Sequence, residues 1–224
     1  MLIKPLVITA KDLRQILTGG SALFQAVLLG LLLVFIFSLS TGPGERISPQ
    51  GAAAIFWLSS CFSLVLVFTM LYRLEEENDT RMALVMTPIP IQTVWLGKAI
   101  GGFLLLAMAQ ACFIPAIIVF LGQETLSSFP VLVGVIGAVD CGLVIMGSLL
   151  GAVSQGQDAR DSLLSIILFP LLIPLLLGGV RIGGTLLAGE PWAGVADWFG
   201  IIGAFDVVFG GAALLLFPFV YGEE

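Results

Sequence analysis

The sequence predicts an all-α polytopic membrane protein: six transmembrane helices, an N-terminal interfacial helix, and a cytoplasmic amphipathic helix between the second and third spans. Three observations predict it. Hydrophobic residues make up 58% of the 224 and the mean hydropathy is +1.11, above the near-half apolar share of soluble domains. Only 11% of residues are charged, and these cluster along the chain. The apolar runs between clusters hold roughly 19–27 residues, enough to cross about 30 Å of hydrocarbon at about 1.5 Å per residue.

Residues 1–20 set Lys4, Lys11 and Arg14 among apolar neighbours. Leu6, Leu13, Ile16 and Leu17 approximate one helical face, with Lys11, Asp12 and Arg14 off it. That is the pattern of an interfacial helix whose basic side meets headgroups. A cleaved signal peptide is the rival reading. The next run, 21–40, is about twice a signal core and lacks a small-x-small cleavage site, so an uncleaved first span is expected. Spans two to six are expected at about 52–72, 95–121, 129–153, 162–180 and 199–221, all in a single integral domain over 1–224. A turn-rich loop follows the first span, and 181–198 is expected as a longer loop carrying Trp192 and Trp198.

One stretch, 73–90, interrupts this pattern. Arg73, Glu75, Glu76, Glu77, Asp79 and Arg81 put six charges into a chain that otherwise has few. Met82, Val85, Met86 and Ile89 then recur at helical spacing until Pro88 and Pro90 stop the helix. The stretch reads as a short amphipathic helix at the membrane surface, either a contact for a soluble protein or a solvated loop. A briefer polar connection holds Asp158, Arg160 and Asp161. With the N-terminus inside, Lys4, Lys11, Arg14, Arg73, Arg81, Lys98 and Arg160 are cytoplasmic and only Arg46 and Arg181 lie outside. The positive-inside rule therefore puts both termini and the 73–90 stretch in the cytoplasm.

Little in the sequence carries chemistry. There is no G-x-x-x-x-G-K-[ST] phosphate loop and no histidine, so neither nucleotide binding, a histidine base nor imidazole ligation of a metal is expected. Cys61, Cys112 and Cys141 fall inside expected spans without paired spacing. Two acids stand where acids are costly, Asp140 in the fourth span and Asp206 in the sixth. Each reads either as polar lining of a transport path or as an acid bonded to a neighbouring helix. Pro170 and Pro174, four residues apart, should bend or open the fifth span, as one wall of a gate or as a packing feature. Gly134, Gly137, Gly142, Gly147, Gly151, Gly210 and Gly211 are expected to let helices approach closely.

The order of features resembles the permease half of an ATP-binding-cassette system whose ATPase is a separate chain. Ile8-Thr9-Ala10-Lys11-Asp12-Leu13-Arg14, then Pro88-Ile89-Pro90 followed by Lys98, narrow the resemblance to the CcmB family of cytochrome c maturation. So does the run Leu163-Leu164-Ser165-Ile166-Ile167-Leu168-Phe169-Pro170-Leu171-Leu172-Ile173-Pro174, the most specific of the three. The chain departs from the family pattern at Asp79 and Met82, where the family has a glycine and an acid.

The resemblance implies a non-catalytic permease subunit of the bacterial inner membrane, paired as a homodimer. Its implied partners are the ATPase CcmA and the haem-handling CcmC, CcmD and CcmE, with no nucleic acid. ATP would be held by the partner, and haem would be cargo with no cofactor bound by this chain. CcmA would push on Arg73, Glu75, Glu76, Glu77, Asp79, Arg81, Met82, Val85, Met86, Pro88 and Pro90, with Asp158, Arg160 and Asp161 as a second contact. The outcome is either haem export or release of haem-loaded CcmE from CcmC. A secondary transporter and a non-transporting assembly anchor are the alternatives.

Overall fold

Within hydrocarbon a chain must satisfy its backbone internally, and apolar runs of this length do so as helices. The computed structural model describes residues 3–19, 21–42, 45–77, 84, 86–124, 126–153 and 170–222, and its regular elements there are helical. They are α1 (Ile3–Gly19), α2 (Ser21–Ser40), α3 (Pro49–Glu77), α4 (Ile91–Phe120), α5 (Phe129–Val153), α6 (Ile173–Leu187) and α7 (Asp197–Gly222). A short 3-10 turn, Trp192–Val195, precedes α7.

Five of these helices, α2, α3, α4, α5 and α7, are long and apolar enough to cross a membrane. The fifth expected span is only partly described. Residues 162–169 lie outside the described residues, and α6 has 15 residues, about 22 Å of helix. It also runs on to Leu187, through the expected loop, because Arg181 is exposed while Ile182 and Leu186 beside it are buried. A long basic side chain on a helix surface can reach polar surroundings without ending the helix. Pro174 stands in the first turn of α6, where its missing N–H is no loss. The expected break therefore falls at Leu172, in a turn ahead of α6.

α3 is the central post. It packs on α2, α4, α5 and α6, and 61% of its span is buried against 17% for α2 and for α7. Small polar residues draw α2 onto it: Ser59 Oγ donates to the Gly30 carbonyl at 3.2 Å and Ser63 Oγ to the Ala26 carbonyl at 2.9 Å. Large aromatics on α3 fill places that glycines leave open, Trp57 at Gly179, Phe68 at Gly102 and Gly147, and Tyr72 at Gly151. The expected role in close packing holds for Gly142, Gly147 and Gly151. At Gly134, Gly137 and Gly211 a Cβ would meet nothing within 4 Å among the described residues.

α3 has 29 residues and α4 has 30, about 44 and 45 Å, so each overshoots a hydrocarbon core of about 30 Å. Both were expected to be shorter. α4 starts at Ile91, straight after Pro90, and α3 continues as helix through Glu77. Of the expected amphipathic helix, Leu84 is described and is helical, and the chain then turns through 86–89, with Thr87 N–H to the Leu84 carbonyl at 3.2 Å and Ile89 N–H to the Thr87 carbonyl at 2.7 Å. At the far end, α4 and α6 close on left-handed Gly122 (φ 66°) and Gly189 (φ 76°). There the Gln123 and Glu190 N–H groups reach back to the Ile118 and Thr185 carbonyls, as in Schellman endings.

α1 packs chiefly on α4, and its buried face differs from the expected one. Pro5, Ile8, Thr9, Asp12 and Ile16 face inward, while Leu6, Val7 and Leu17 are exposed. Gly97 permits this approach: a Cβ there would stand 2.9 Å from the Pro5 carbonyl oxygen and from Ile8 Cβ. Thr9 Oγ1 lies 2.8 Å from the Gly97 carbonyl oxygen and donates to it. Gly97→Leu should therefore lift α1 and cost about 1–3 kcal/mol, as overpacking does. Gly101→Ala, whose Cβ would lie 4.0 Å from Thr9 Cγ2, should leave the melting temperature of the purified protein nearly unchanged.

Candidate functional site

The ends of α3 and α4 that border 78–90 carry opposite charges, and the fold buries both. Lys98, eight residues into α4, is fully buried, and its Nζ lies 2.8 Å from Glu75 Oε1. The same Nζ donates to the Leu71 carbonyl at 3.0 Å, lies 3.7 Å from Asp12 Oδ2, and sits 4.6 Å above the centre of the Tyr72 ring. Lys11 lies 3.0 Å from Asp12 and 3.6 Å from Glu75. Tyr221, near the end of α7, donates its hydroxyl to Glu75 Oε2 at 2.7 Å. Two cations and two anions balance, and α1, α3, α4 and α7 meet in one cluster.

The pairing is what makes burial tolerable. A buried ammonium or carboxylate left alone costs several kcal/mol, and close partners with hydrogen bonds offset that cost. A neighbouring layer extends the cluster into α5: Tyr72 donates to the Ser148 carbonyl at 2.9 Å, and Trp95 Nε1 to Ser148 Oγ at 2.8 Å.

A second polar group lies deeper. Asp140 on α5 is fully buried, and Gln110 of α4 donates to its Oδ1 at 2.7 Å and to Ser60 Oγ at 3.1 Å. Asp140 Oδ2 and Gln110 Oε1 have no hydrogen-bond partner among the described residues. Asp206 on α7 is half-buried, and its Oδ1 lies over Gly142, where a Cβ would come within 2.6 Å of it. Asp140 is thus bonded to a neighbouring helix, one of the two readings open from sequence.

At the opposite end, a cavity of about 220 Å³ opens between α3, α4, α5 and α6. Phe56, Trp57, Ile117, Phe129 and Leu132 line it, with Gln123 and Glu124 as its polar residues. Its volume is below the about 300–1,000 Å³ of pockets that hold drug-sized ligands. Arg46 pairs with Glu124 beside it at 2.8 Å.

The residues expected at a docking surface divide. Arg73, Met86, Pro88 and Pro90 are exposed. Glu75 is turned inward, 1% exposed, so it is no surface contact; its carboxylate is already engaged by Lys98, Lys11 and Tyr221. Glu76 and Glu77 close α3, and their side chains are not described. Asp79, Arg81, Met82, Val85, Asp158, Arg160 and Asp161 lie outside the described residues. Pro170 and Pro174 are exposed. Asp12, Lys98, Tyr221, Gln110 and Ser60 were not picked out as site residues. The signal for Gln110 was a polar residue deep in an apolar run, the same that marked Asp140.

A bundle of long apolar helices clamped at one end by buried charge defines a multi-pass helical membrane protein. The chain belongs to the CcmB family: the family described as "CcmB protein" matches residues 4–223. Relatives named heme exporter protein B are similar along most of their length. That of Pseudomonas aeruginosa is 23% identical over 210 residues, 94% of this chain and 91% of the relative. That of Haemophilus influenzae is 23% identical over 212 residues, 95% and 92%. That of Rhodobacter capsulatus is 24% identical over 184 residues, 81% and 84%.

Two outcomes test these polar groups. Lys98→Met, which removes the cation nearest Glu75 from a buried pair, should destabilise the protein by about 3–5 kcal/mol. Adding Glu75→Gln should recover part of that loss, and additive effects in thermal unfolding would refute the coupling. Asp140→Asn should be tolerated, whereas Asp140→Leu should cost about 1–3 kcal/mol by leaving the Gln110 amide short of an acceptor.

Proposed function

We propose that this chain is the membrane permease subunit of a haem exporter serving c-type cytochrome biogenesis, driven by a separate ATPase. Family membership and relatives named heme exporter protein B support the haem assignment. The observation that carries the coupling is the Glu75–Lys98 pair. It joins the last turns of α3 to the second turn of α4 at 2.8 Å, so the base of the 78–90 connection is held shut. A load on that connection moves α3 and α4 together, and the same cluster passes it to α1 and α7.

On this reading CcmA docks from the cytoplasm, where both termini also lie, and binds ATP; the permease is non-catalytic and spans the bacterial inner membrane. Arg73, Glu76, Glu77, Asp79, Arg81, Met82, Val85, Met86, Pro88 and Pro90 form the contact, with Asp158, Arg160 and Asp161 as a second one. Two copies pair to serve two ATPase sites, and CcmC, CcmD and CcmE complete the assembly. Haem is cargo, and this chain supplies motion rather than ligation. The outcome is either haem export or release of haem-loaded CcmE from CcmC. Asp140 and Asp206 then hold helices in register while Pro170 and Pro174 set the bend before α6.

Reversing Glu76, Glu77 and Asp79 together to lysine should detach CcmA and leave the permease inserted. Glu75→Lys alone should instead lower the folded yield with or without CcmA. Undiminished co-purification of CcmA with the triple variant would overturn the docking surface. ATP-stimulated turnover on adding CcmA separates this reading from a secondary transporter or an anchor.

A further inference from the structure

α1 has one acid, Asp12, and the fold turns it inward between Lys11 and Lys98. The outward surface of α1 is thereby stripped of negative charge. It presents Lys4 and Arg14, both exposed, and the half-exposed Lys11. Leu6, Val7 and Leu17 are exposed between them at 55%, 62% and 47%. Neither Lys4 nor Arg14 has an ion-pair partner among the described residues.

The helix cannot easily roll to hide this face, because Thr9 is bonded to Gly97 and Asp12 is engaged with Lys98. Its level is also set. Lys98 is about 10 Å along α4 from Ile91, and α4 overshoots an about 30 Å core by about 15 Å in all, so α1 crosses near one edge of the hydrocarbon.

We infer that this face of α1 is a binding surface for anionic phospholipid headgroups. Lys4 and Arg14 take the phosphates, and Leu6, Val7 and Leu17 enter the acyl boundary, while Lys11 stays engaged with Asp12 and Glu75. Exposed leucine and valine alone would suit any lipid. Cations without an acid among them create the preference for negative charge, at roughly a factor of five per basic residue near a charged surface. The surface does not depend on what the protein transports.

The test uses the full chain in liposomes carrying spin-labelled phosphatidylglycerol or phosphatidylcholine, with the motionally restricted fraction read by electron paramagnetic resonance. The wild type should restrict phosphatidylglycerol in preference to phosphatidylcholine. In Lys4→Gln/Arg14→Gln that preference should fall by about twofold or more. Lys4→Arg/Arg14→Lys should keep it. Equal restriction of the two lipids by the wild type would overturn the inference, as would full preference in the glutamine variant. So would a glutamine variant that keeps its lipid preference but loses a soluble partner, which would assign the face to an acidic protein.

Discussion

A lysine inside a membrane protein must be answered by a negative charge, and much of this fold follows from how Lys98 is answered. Glu75 supplies the close contact from α3, Asp12 the more distant one from α1, and the Leu71 carbonyl takes a further ammonium hydrogen. Glu75 then has a second oxygen to satisfy, which Tyr221 of α7 does. Each requirement recruits a further helix, so burying one cation fixes the relative positions of four. The apolar remainder of the bundle has no such preference. Lipid tails are as apolar as leucine, so aliphatic contacts alone give helices in a bilayer little reason to associate.

The long apolar helices were readable because hydrocarbon allows the backbone no alternative, and run length pointed to five of them. Their ends were less so. Arg181 looked like the start of a loop, yet a flexible basic side chain on a helix surface need not interrupt it. The faces were the hardest. On α1, aliphatic periodicity favoured Leu6, Leu13 and Leu17, but the buried side is chosen by Asp12 and Thr9, whose partners Lys98 and Gly97 are far along the chain. Periodicity within a segment carries no information about a charge elsewhere. Likewise nothing in one dimension marks Glu75 for burial, which helix rotation of about 100° per residue and the position of Lys98 decide.

Deeper in the bundle the logic is gentler. Ser59, Ser63, Ser60 and Gln110 present neutral dipoles to carbonyls and to Asp140. Such bonds bring roughly 1 kcal/mol each in a membrane, enough to choose a register and too little to forbid sliding.

Tyr221 has a further meaning in the order of synthesis. Asp12 and Glu75 leave the ribosome before Lys98, so the cation enters the membrane with its anions already made. The hydroxyl that completes Glu75 comes last of the group, nearly 150 residues after it. During that interval Glu75 lacks this donor. Closure of the charged end by this bond thus waits on the arrival of α7.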